Sequence, residues 1–203
     1  VEPEAICREL NHLPTAAVDF ITMSGTGEPT LAANLGRIIE GIKGIRREPI
    51  AVLTNSTMLQ YQDVRDALMN ADFVVAKLDA FSPESLQAIN RPAPGITFEH
   101  ILTGLKQFRN DYGGRLALQI MFIDENKDGA GELAALARDI QPNEVQINTP
   151  LRPSRVEPLS RETLAAITPR FRGMKKISVY ETPVKVGVKP LSGEDTLKRR
   201  GKV

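Results

Sequence analysis

The sequence predicts an α/β fold built from parallel strands, and three observations lead to that prediction. Short apolar segments that suit buried strands occur near residues 19, 50, 73, 116, 145 and 177. Between them, apolar residues recur at helical spacing, and such alternation is typical of parallel strands joined by helical crossovers. A complete eight-fold barrel needs roughly 250 residues. Because this chain has 203, we predict a partial, open (β/α)6-type TIM-like barrel.

The composition fits one globular domain and excludes several classes of protein. Hydrophobic residues make up 41% of the chain, which is enough for a substantial core. The formal net charge of +1 gives no basic footprint from which nucleic-acid binding could be argued. The single cysteine, Cys7, fits a reducing cytoplasm and suits a small core residue better than a nucleophile. Since no apolar run approaches the roughly 20 residues of a membrane span, we expect a cytoplasmic protein with no membrane partner.

The first helix and strand lead into a glycine-rich turn. A helix is predicted over Glu4–Leu13, and Phe20–Met23 suits a buried parallel strand. The turn Ser24–Gly27 follows, and its missing side chains let a ligand approach the backbone closely. Glu28 sets a carboxylate there, and Pro29 stiffens the exit. We therefore expect a binding site at the end of this strand.

The second unit also ends its strand in small polar residues. Apolar residues at helical spacing over Leu31–Ile42 predict a crossover helix, and Pro49–Leu53 predicts the next strand. The polar residues after this strand include Ser56 and Thr57. They lie where parallel sheets bind ligands, but Ser56 or Thr57 also suits the N-cap of a helix over Met58–Met69. The two roles are compatible, and both stay open at this point.

A third strand, Asp72–Ala76, ends beside an ion-pair candidate. Alternation along the strand places Lys77 and Asp79 on one side of its end, either as ligand-binding groups or as a buried structural pair. Ser82 followed by proline predicts the N-terminus of the next helix. Arg91 falls in the loop after that helix, where it either contacts an anionic substrate or is solvated.

The fourth strand and the loop after it carry two further signals. Thr97 caps the helix before this strand, and Arg115–Ile123 is a long apolar strand whose polar interior residue, Gln119, is predicted to face the barrel interior. Asp124–Gly129 matches the first half of a calcium-binding EF-hand loop. The twelfth position, however, is Ala135 where the loop needs a bidentate Glu, so we read a polar loop and no calcium site.

The last units complete the predicted sheet. Glu144–Thr149 is a strand with Asn148 on its polar face, a helix begins at Ser160, and Ile177–Tyr180 is a short final strand. The tail over residues 191–203 is polar and basic. Such tails are usually solvated ends, with RNA contact as the alternative.

Several of these segments resemble the radical S-adenosylmethionine (radical SAM) enzymes. Gly27-Glu28-Pro29 after a strand resembles their GGEP element, which receives the amino group of the methionine moiety of SAM. The resemblance covers roughly Glu4 to Tyr180 and is closest to a branch related to the wyosine-type tRNA-modifying iron–sulfur oxidoreductases. It continues in chain order through Leu53–Ser56, Leu78–Ala80, Ile89–Pro92 and Val145–Pro150.

The resemblance implies an enzyme and a set of site residues. It implies reductive cleavage of SAM by a [4Fe-4S] cluster to a radical that abstracts hydrogen from a substrate, with an electron donor as partner and tRNA as one candidate substrate. It assigns no catalytic side chain. The residues implied to bind SAM are Ser24, Gly25, Gly27, Glu28, Pro29, Asn55, Ser56, Asp79, Gln119 and Asn148, and those implied to bind substrate are Lys77 and Arg91.

One departure from the family is serious. The Cys-x3-Cys-x2-Cys motif that holds the cluster is absent, and Cys7 alone cannot build that site. We therefore expect the cluster loop and a first strand upstream of Val1. On that expectation residues 1–190 form a radical SAM core truncated at the N-terminus, residues 191–203 form its tail, and this chain alone is inactive.

Two other functions remain open from the residues alone. A cluster-free domain would bind a nucleotide-like ligand or a partner without catalysis. An ordinary TIM-like lyase or isomerase would use Lys77 as base and Asp79 to orient it.

Overall fold

The fold is a six-stranded sheet in which every pair of neighbouring strands is parallel. It is seen in a computed structural model that describes residues 2–13, 18–24, 27–151 and 154–181. The strands are β1 (Ile21–Met23), β2 (Ile50–Thr54), β3 (Phe73–Lys77), β4 (Arg115–Met121), β5 (Glu144–Asn148) and β6 (Lys176–Ser178). The helices are α1 (Pro3–His12), α2 (Leu35–Ile45), α3 (Gln62–Leu68), α4 (Pro83–Ile89), α5 (Phe98–Asp111), α6 (Ala130–Ile140) and α7 (Arg161–Ile167).

The strand order in the sheet is the order in the chain, β1 to β6, and at least one helix separates each strand from the next. This topology confirms the predicted partial TIM-like barrel. Three short 3₁₀ helices complete the described elements, at Pro29–Leu31, Lys127–Gly129 and Thr168–Phe171. Because parallel strands all end at the same edge, the residues that follow β1, β2 and β3 come together there.

The sheet buries its two faces unequally. One face carries a large core shared with the helices, in which Val52, Val74 and Leu118 meet Ile39 and Phe108. The other face, which is the interior side of the partial barrel, has a small apolar cluster of Ala51, Phe73, Val75, Ala117 and Phe20. Alternation along each strand therefore directs one set of side chains to the helices and the other to the barrel interior.

Side-chain caps start three helices where the sequence predicts them. The Ser82 hydroxyl accepts from the backbone N–H of Ser85 at 3.2 Å and forms a capping box at α4. The Thr97 hydroxyl accepts from the His100 N–H at 3.2 Å, and Ser160 caps α7 in the same way. Each cap satisfies a donor that has no partner within the helix.

Two predictions about the first half of the chain are wrong. Leu31 does not belong to the crossover helix, because α2 begins at Leu35 and Leu31 lies in the 3₁₀ helix with 67% of its surface exposed. β1 is not a buried strand, since Thr22 is exposed and its two neighbours are half-buried. The physical reason for the second error is position, because β1 is an edge strand of the described sheet.

Helix α3 and strand β4 are both shorter than predicted. α3 begins at Gln62, its N-cap residue is Tyr61, and no side-chain hydrogen bond caps it, so neither Ser56 nor Thr57 has the predicted capping role. β4 ends at Met121 because the Ile123 N–H leaves the ladder and donates to Asn126 Oδ1 at 2.8 Å.

Two sequence predictions fall outside the described residues: Gly25 in the glycine-rich turn, and the basic tail over residues 191–203. Within the described ranges, no helix is both long and apolar enough to cross a membrane.

Candidate functional site

Glu28 is the centre of a hydrogen-bond network that joins the ends of β1 and β2. Its Oε1 accepts from the Thr30 N–H at 3.1 Å, from the Thr30 hydroxyl at 2.6 Å and from the Thr54 hydroxyl at 2.7 Å. Its Oε2 accepts from the Asn55 N–H at 2.7 Å. A carboxylate oxygen can accept about two hydrogen bonds. Among the described residues Oε2 has one donor, so it keeps an acceptor position for a ligand.

The residues on either side of Glu28 keep its carboxylate accessible. Gly27 is exposed, and a Cβ added there would meet no atom within 4 Å. Pro29 occupies the first position of the 3₁₀ helix that Glu28 caps, where its missing N–H has no consequence. A ligand can therefore approach the turn from the side of Gly27.

Asn55 and Ser56 hold the turn after β2 in different ways. The Asn55 side chain accepts from the Thr57 N–H at 3.0 Å and from the Thr57 hydroxyl at 2.7 Å. Ser56 has a left-handed φ of 70° and is completely buried, and its hydroxyl donates to the Lys77 carbonyl at 2.7 Å. The Ser56 hydroxyl therefore ties the end of β2 to the end of β3, whereas Asn55 stays exposed at the site.

Lys77 and Asp79 form the ion pair that alternation along β3 brings together. Lys77 Nζ lies 3.0 Å from Asp79 Oδ2, and the side chain of Asp79 is 4% exposed against 37% for Lys77. Asp79 Oδ2 also accepts from Asn90 at 3.3 Å, while Oδ1 accepts from the Met121 N–H at 2.8 Å. Because both oxygens of Asp79 have protein donors, this carboxylate is placed to position the Lys77 ammonium.

Polar side chains form a row across the interior face of the sheet. The strand register sets Lys77 opposite Gln119 and Gln119 opposite Gln146. Gln119 donates to Gln146 at 3.1 Å, and Gln146 donates to Glu144 at 3.1 Å. Gln119 lies in the barrel interior and lines a cavity there.

Asn148 and Ser24 lie at the margins of this region. Asn148 pairs with Met121 across β4 and β5, and its backbone carbonyl accepts from the Phe122 N–H at 2.7 Å. Its half-buried side chain lines neither cavity beside Glu28. Ser24 is exposed and lines the interior cavity together with Gly27 and Pro29.

Two cavities meet at the carboxyl ends of the strands. The interior cavity has a volume of about 300 Å³ and is lined by Gln119, Leu53 and Val75 among others. The second cavity, of about 490 Å³, lies under the segment that joins α4 to α5. Glu28, Asn55 and Lys77 line both, so these three residues form the shared wall.

The two substrate candidates, Lys77 and Arg91, line the same cavity. Arg91 lines the 490 Å³ cavity and has a left-handed φ of 47°. No hydrogen bond or ion pair joins its guanidinium to another described residue. The sequence therefore identified two cations that the fold brings to one cavity.

At the opposite, amino-terminal end of the strands, Glu144 is a buried carboxylate in contact with several donors. It is 1% exposed, and burial by itself raises the pKa of this group. Hydrogen bonds from Arg115, Gln146 and Lys175 more than offset burial, so the pKa of Glu144 lies below its usual value. Glu144 lines neither cavity beside Glu28, so this cluster is not counted in the candidate site.

The described residues do not fit an iron–sulfur cluster. No group of three or more His, Cys, Asp or Glu side chains among them could hold a metal ion. Cys7, which the whole sequence contains once, is on α1, and its sulfur packs near Gly41 of α2. A three-thiolate site therefore cannot come from this chain.

Sequence reasoning missed several residues of the site. The hydroxyls of Thr30 and Thr54 hold Glu28, and Asn90 holds Asp79. Leu31 and Met58 were assigned to helices, yet both line the 490 Å³ cavity. For Thr54 a signal existed, because it directly follows the apolar part of a strand. The pairing of Asn90 with Asp79 spans 11 residues and has no local signature.

The Radical SAM superfamily model matches residues 1–137 of the chain. A UPF0026 protein of Synechocystis sp. is 45% identical over 158 residues, which are 77% of this chain and 58% of that protein. The chain therefore spans little more than half of this curated relative.

Solved structures of low sequence identity share the fold. Streptococcus suis SuiB bound to precursor peptide SuiA aligns with a TM-score of 0.67 at 11% identity, covering 87% of this chain and 42% of that chain. A radical SAM methyltransferase from Sphaerobacter thermophilus aligns with a TM-score of 0.62 at 18% identity, covering 86% of this chain and 53% of that chain. These structures support the architecture of the partial barrel.

Proposed function

This chain belongs to the radical SAM superfamily, and from that premise we propose that it binds S-adenosylmethionine at Glu28 as the core of a radical SAM enzyme. The observation that carries the proposal is the acceptor position on Glu28 Oε2, which lies beside an open glycine and between two cavities. An ammonium group carries three donors and is best received by a carboxylate. The methionine moiety of SAM supplies such an ammonium.

The protein holds Glu28 ready for this contact. Three donors fix Oε1 and one fixes Oε2, so the carboxylate does not need to reorient when a ligand arrives. A group that is fixed before binding loses little conformational entropy on binding. Thr30 and Thr54 are therefore positioning residues in this proposal.

Lys77 and Gln119 supply the other polar groups beside Glu28. The Lys77 ammonium, positioned by Asp79, suits the carboxylate of the methionine moiety or an anionic group of a substrate. Gln119 presents an amide to the interior cavity that Glu28 also lines. Leu53 and Val75 give the interior cavity an apolar part of its wall beside these polar groups.

In this superfamily SAM supplies a radical that abstracts hydrogen when it is cleaved by a reduced [4Fe-4S] cluster. The residues of this chain do not fit that cluster, and the catalytic step is not assigned to any of them. The resemblance to wyosine-type tRNA-modifying enzymes keeps tRNA as one candidate substrate, no residue of this chain identifies the substrate, and an electron donor is the proposed partner. Cytoplasmic location belongs to the same proposal.

The ion pair argues against the lyase alternative. Lys77 forms an ion pair with the buried Asp79 carboxylate at 3.0 Å, and an ammonium in such a pair donates hydrogen bonds and has no lone pair to accept a proton. The pair therefore fits the binding of an anion better than the abstraction of a proton.

The proposal is tested by calorimetric titration of the chain with SAM and with 5′-methylthioadenosine, which lacks the amino-acid part. We expect SAM to bind and the analogue to bind more weakly by at least roughly 1.5–3 kcal/mol, the contribution of one hydrogen bond to a charged group, because the analogue lacks the ammonium for Glu28, the carboxylate for Lys77 and the sulfonium charge. Equal affinities, or no binding of SAM, would overturn the assignment of Glu28.

A further inference from the structure

We propose that the 490 Å³ cavity is a second binding site, separate from the SAM site, for a flat apolar group that carries one negative charge. The cavity lies between the end of β3, helix α4 and the start of α5. Its volume falls within the roughly 300–1,000 Å³ of small-molecule sites. The interior cavity beside it, at about 300 Å³, has a separate lining apart from the shared wall.

The walls of this cavity are apolar and well packed. Leu78, Ala80, Leu86, Phe98 and Ile101 line it, and each is at most 8% exposed. Because their surroundings are fixed by the core, the cavity is part of the fold and not a gap between loose side chains. Such walls favour an apolar occupant.

Two residues at the cavity favour a flat occupant. Phe98 offers an aromatic ring, and Met58 offers a polarisable thioether that contacts aromatic groups favourably. Leu31 also lines the cavity although 67% of its surface is exposed. An occupant would cover part of this exposed leucine.

Arg91 gives the cavity its charge preference. It follows the last residues of α4, and its N–H donates to the Leu86 carbonyl in the manner of a helix C-terminal turn. The left-handed residue at such a turn is usually glycine. Here an arginine adopts φ 47° at the strained position, with its side chain at the cavity.

The other charges at the cavity leave Arg91 as the cation for a ligand. Lys77, which is paired with Asp79, and Glu28 lie in the shared wall and are assigned to SAM in the proposal above, so neither is counted for a second ligand. The Arg91 guanidinium has no ion-pair partner among the described residues. One negative charge on the occupant therefore complements Arg91, while its apolar part fills the interior of the cavity.

The test uses methyl-¹³C-methionine labelling, because Met58 lines this cavity and the other four methionines do not. The 203-residue chain is titrated with naphthalene-1-acetate and with the neutral 2-(1-naphthyl)ethanol. We expect both to shift the Met58 methyl resonance, and the acid to bind more tightly. Absence of a Met58 shift at millimolar probe would overturn the proposal.

Variants separate the charge from the cavity. Arg91→Gln should lower the affinity for naphthalene-1-acetate by about two- to fivefold, the usual range for an exposed ion pair. The affinity for the neutral alcohol should not change. Arg47→Gln, at an exposed arginine that does not line the cavity, is the control and should change neither. Ala93→Trp should fill the cavity and weaken both probes at least tenfold, with the four other methionine resonances showing that the fold is intact.

The remaining outcomes are also decisive. If Arg91→Gln leaves the acid unaffected, the assignment of charge is wrong. If SAM displaces the naphthyl probes, the cavity belongs to the SAM site and a second site is refuted. The probes are titrated without SAM, so the two proposals are tested independently. If the probes do not bind, the assignment of Glu28 to SAM still stands. If SAM does not bind, the second site still stands.

Discussion

Asn55 and Glu28 are 27 residues apart in the sequence, and the Asn55 N–H donates a 2.7 Å hydrogen bond to Glu28 Oε2. This bond joins the segment after β1 to the end of β2 at the place proposed for the SAM ammonium. Glu28 is therefore both a structural residue and the proposed ligand-binding residue. A substitution at Glu28 should affect stability and binding together.

Glu28→Gln should lower the free energy of unfolding by about 1–3 kcal/mol, because an amide N–H would face the Asn55 N–H and one of the two donors would lose its acceptor. The same variant should weaken SAM binding by roughly 1.5–3 kcal/mol. Urea unfolding and calorimetric titration measure the two effects.

Thr54→Val is the matched control for this prediction. It removes one donor from Oε1 and the acceptor of the Ser56 N–H, but the carboxylate stays charged. Stability should fall by about 1 kcal/mol, and SAM affinity should fall less than in Glu28→Gln, because the carboxylate keeps its charge and loses one of its four positioning donors. If both variants lose the same SAM affinity, Glu28 acts only through the turn and does not contact the ligand.

Removing either partner of the Lys77–Asp79 pair should be costly, and the two losses should not add. Lys77→Met leaves the buried Asp79 carboxylate with less compensation, and Asp79→Asn points an amide donor at Lys77 or Asn90. Each single variant should lose about 1–3 kcal/mol of the free energy of unfolding. The lower end of this range reflects the partial exposure of Lys77. The double variant should lose less stability than the sum of the two single losses, by about 0.5 kcal/mol or more.

A double-mutant cycle in urea at neutral pH measures this coupling. Strict additivity would mean that the pair contributes no interaction energy to the fold. Asp79 would then be held by the Met121 N–H and the Asn90 side chain without Lys77.

The pH dependence of stability should report Glu144. Because its pKa is lowered in the folded protein, its stabilisation is fully present above the unfolded value of about 4.3 and is lost as the pH falls through the lower folded value. Below neutrality, the free energy of unfolding falls as the pH falls, and Glu144 contributes to that slope. Glu144→Gln should remove this contribution, which for one group is at most about 1.4 kcal/mol per pH unit. Urea midpoints between pH 3 and pH 7 measure it.

Glu125→Gln, at an exposed carboxylate in the loop before α6, controls for the change in total charge. It should leave the acid-side slope as in the wild type. A Glu144→Gln protein that loses stability in acid as steeply as the wild type would contradict the role of the Arg115, Gln146 and Lys175 contacts.

Gly104 allows α5 to lie against the turn after β2. A Cβ at Gly104 would lie 2.5 Å from the backbone of Leu59 and of Gln60, so Gly104→Ala must push this turn away. The expected loss of stability is about 1–3 kcal/mol, typical of overpacking. Gly131→Ala in α6 meets nothing within 4 Å and should gain about 0.4–1 kcal/mol. Thermal or urea unfolding of the pair checks both signs.

The order of the elements could be predicted from the sequence because its causes are local. Apolar alternation and helical spacing located all six strands, and Ser82 and Thr97 marked helix starts through bonds to residues three positions away. The Gly27-Glu28-Pro29 turn indicated the family for the same reason. These features depend on neighbours within a few residues, which a single sequence displays.

Which polar groups face a ligand was decided by tertiary structure. Ser56 and Asp79 looked alike in sequence as polar residues after strands, yet the fold buries both and pairs them with Lys77 and Met121. Glu28 keeps an acceptor position on Oε2 because three of its four donors contact Oε1. A polar group is available to a ligand when the rest of the chain leaves its hydrogen bonds unmade, and partners 21 to 42 residues away in the chain determine that.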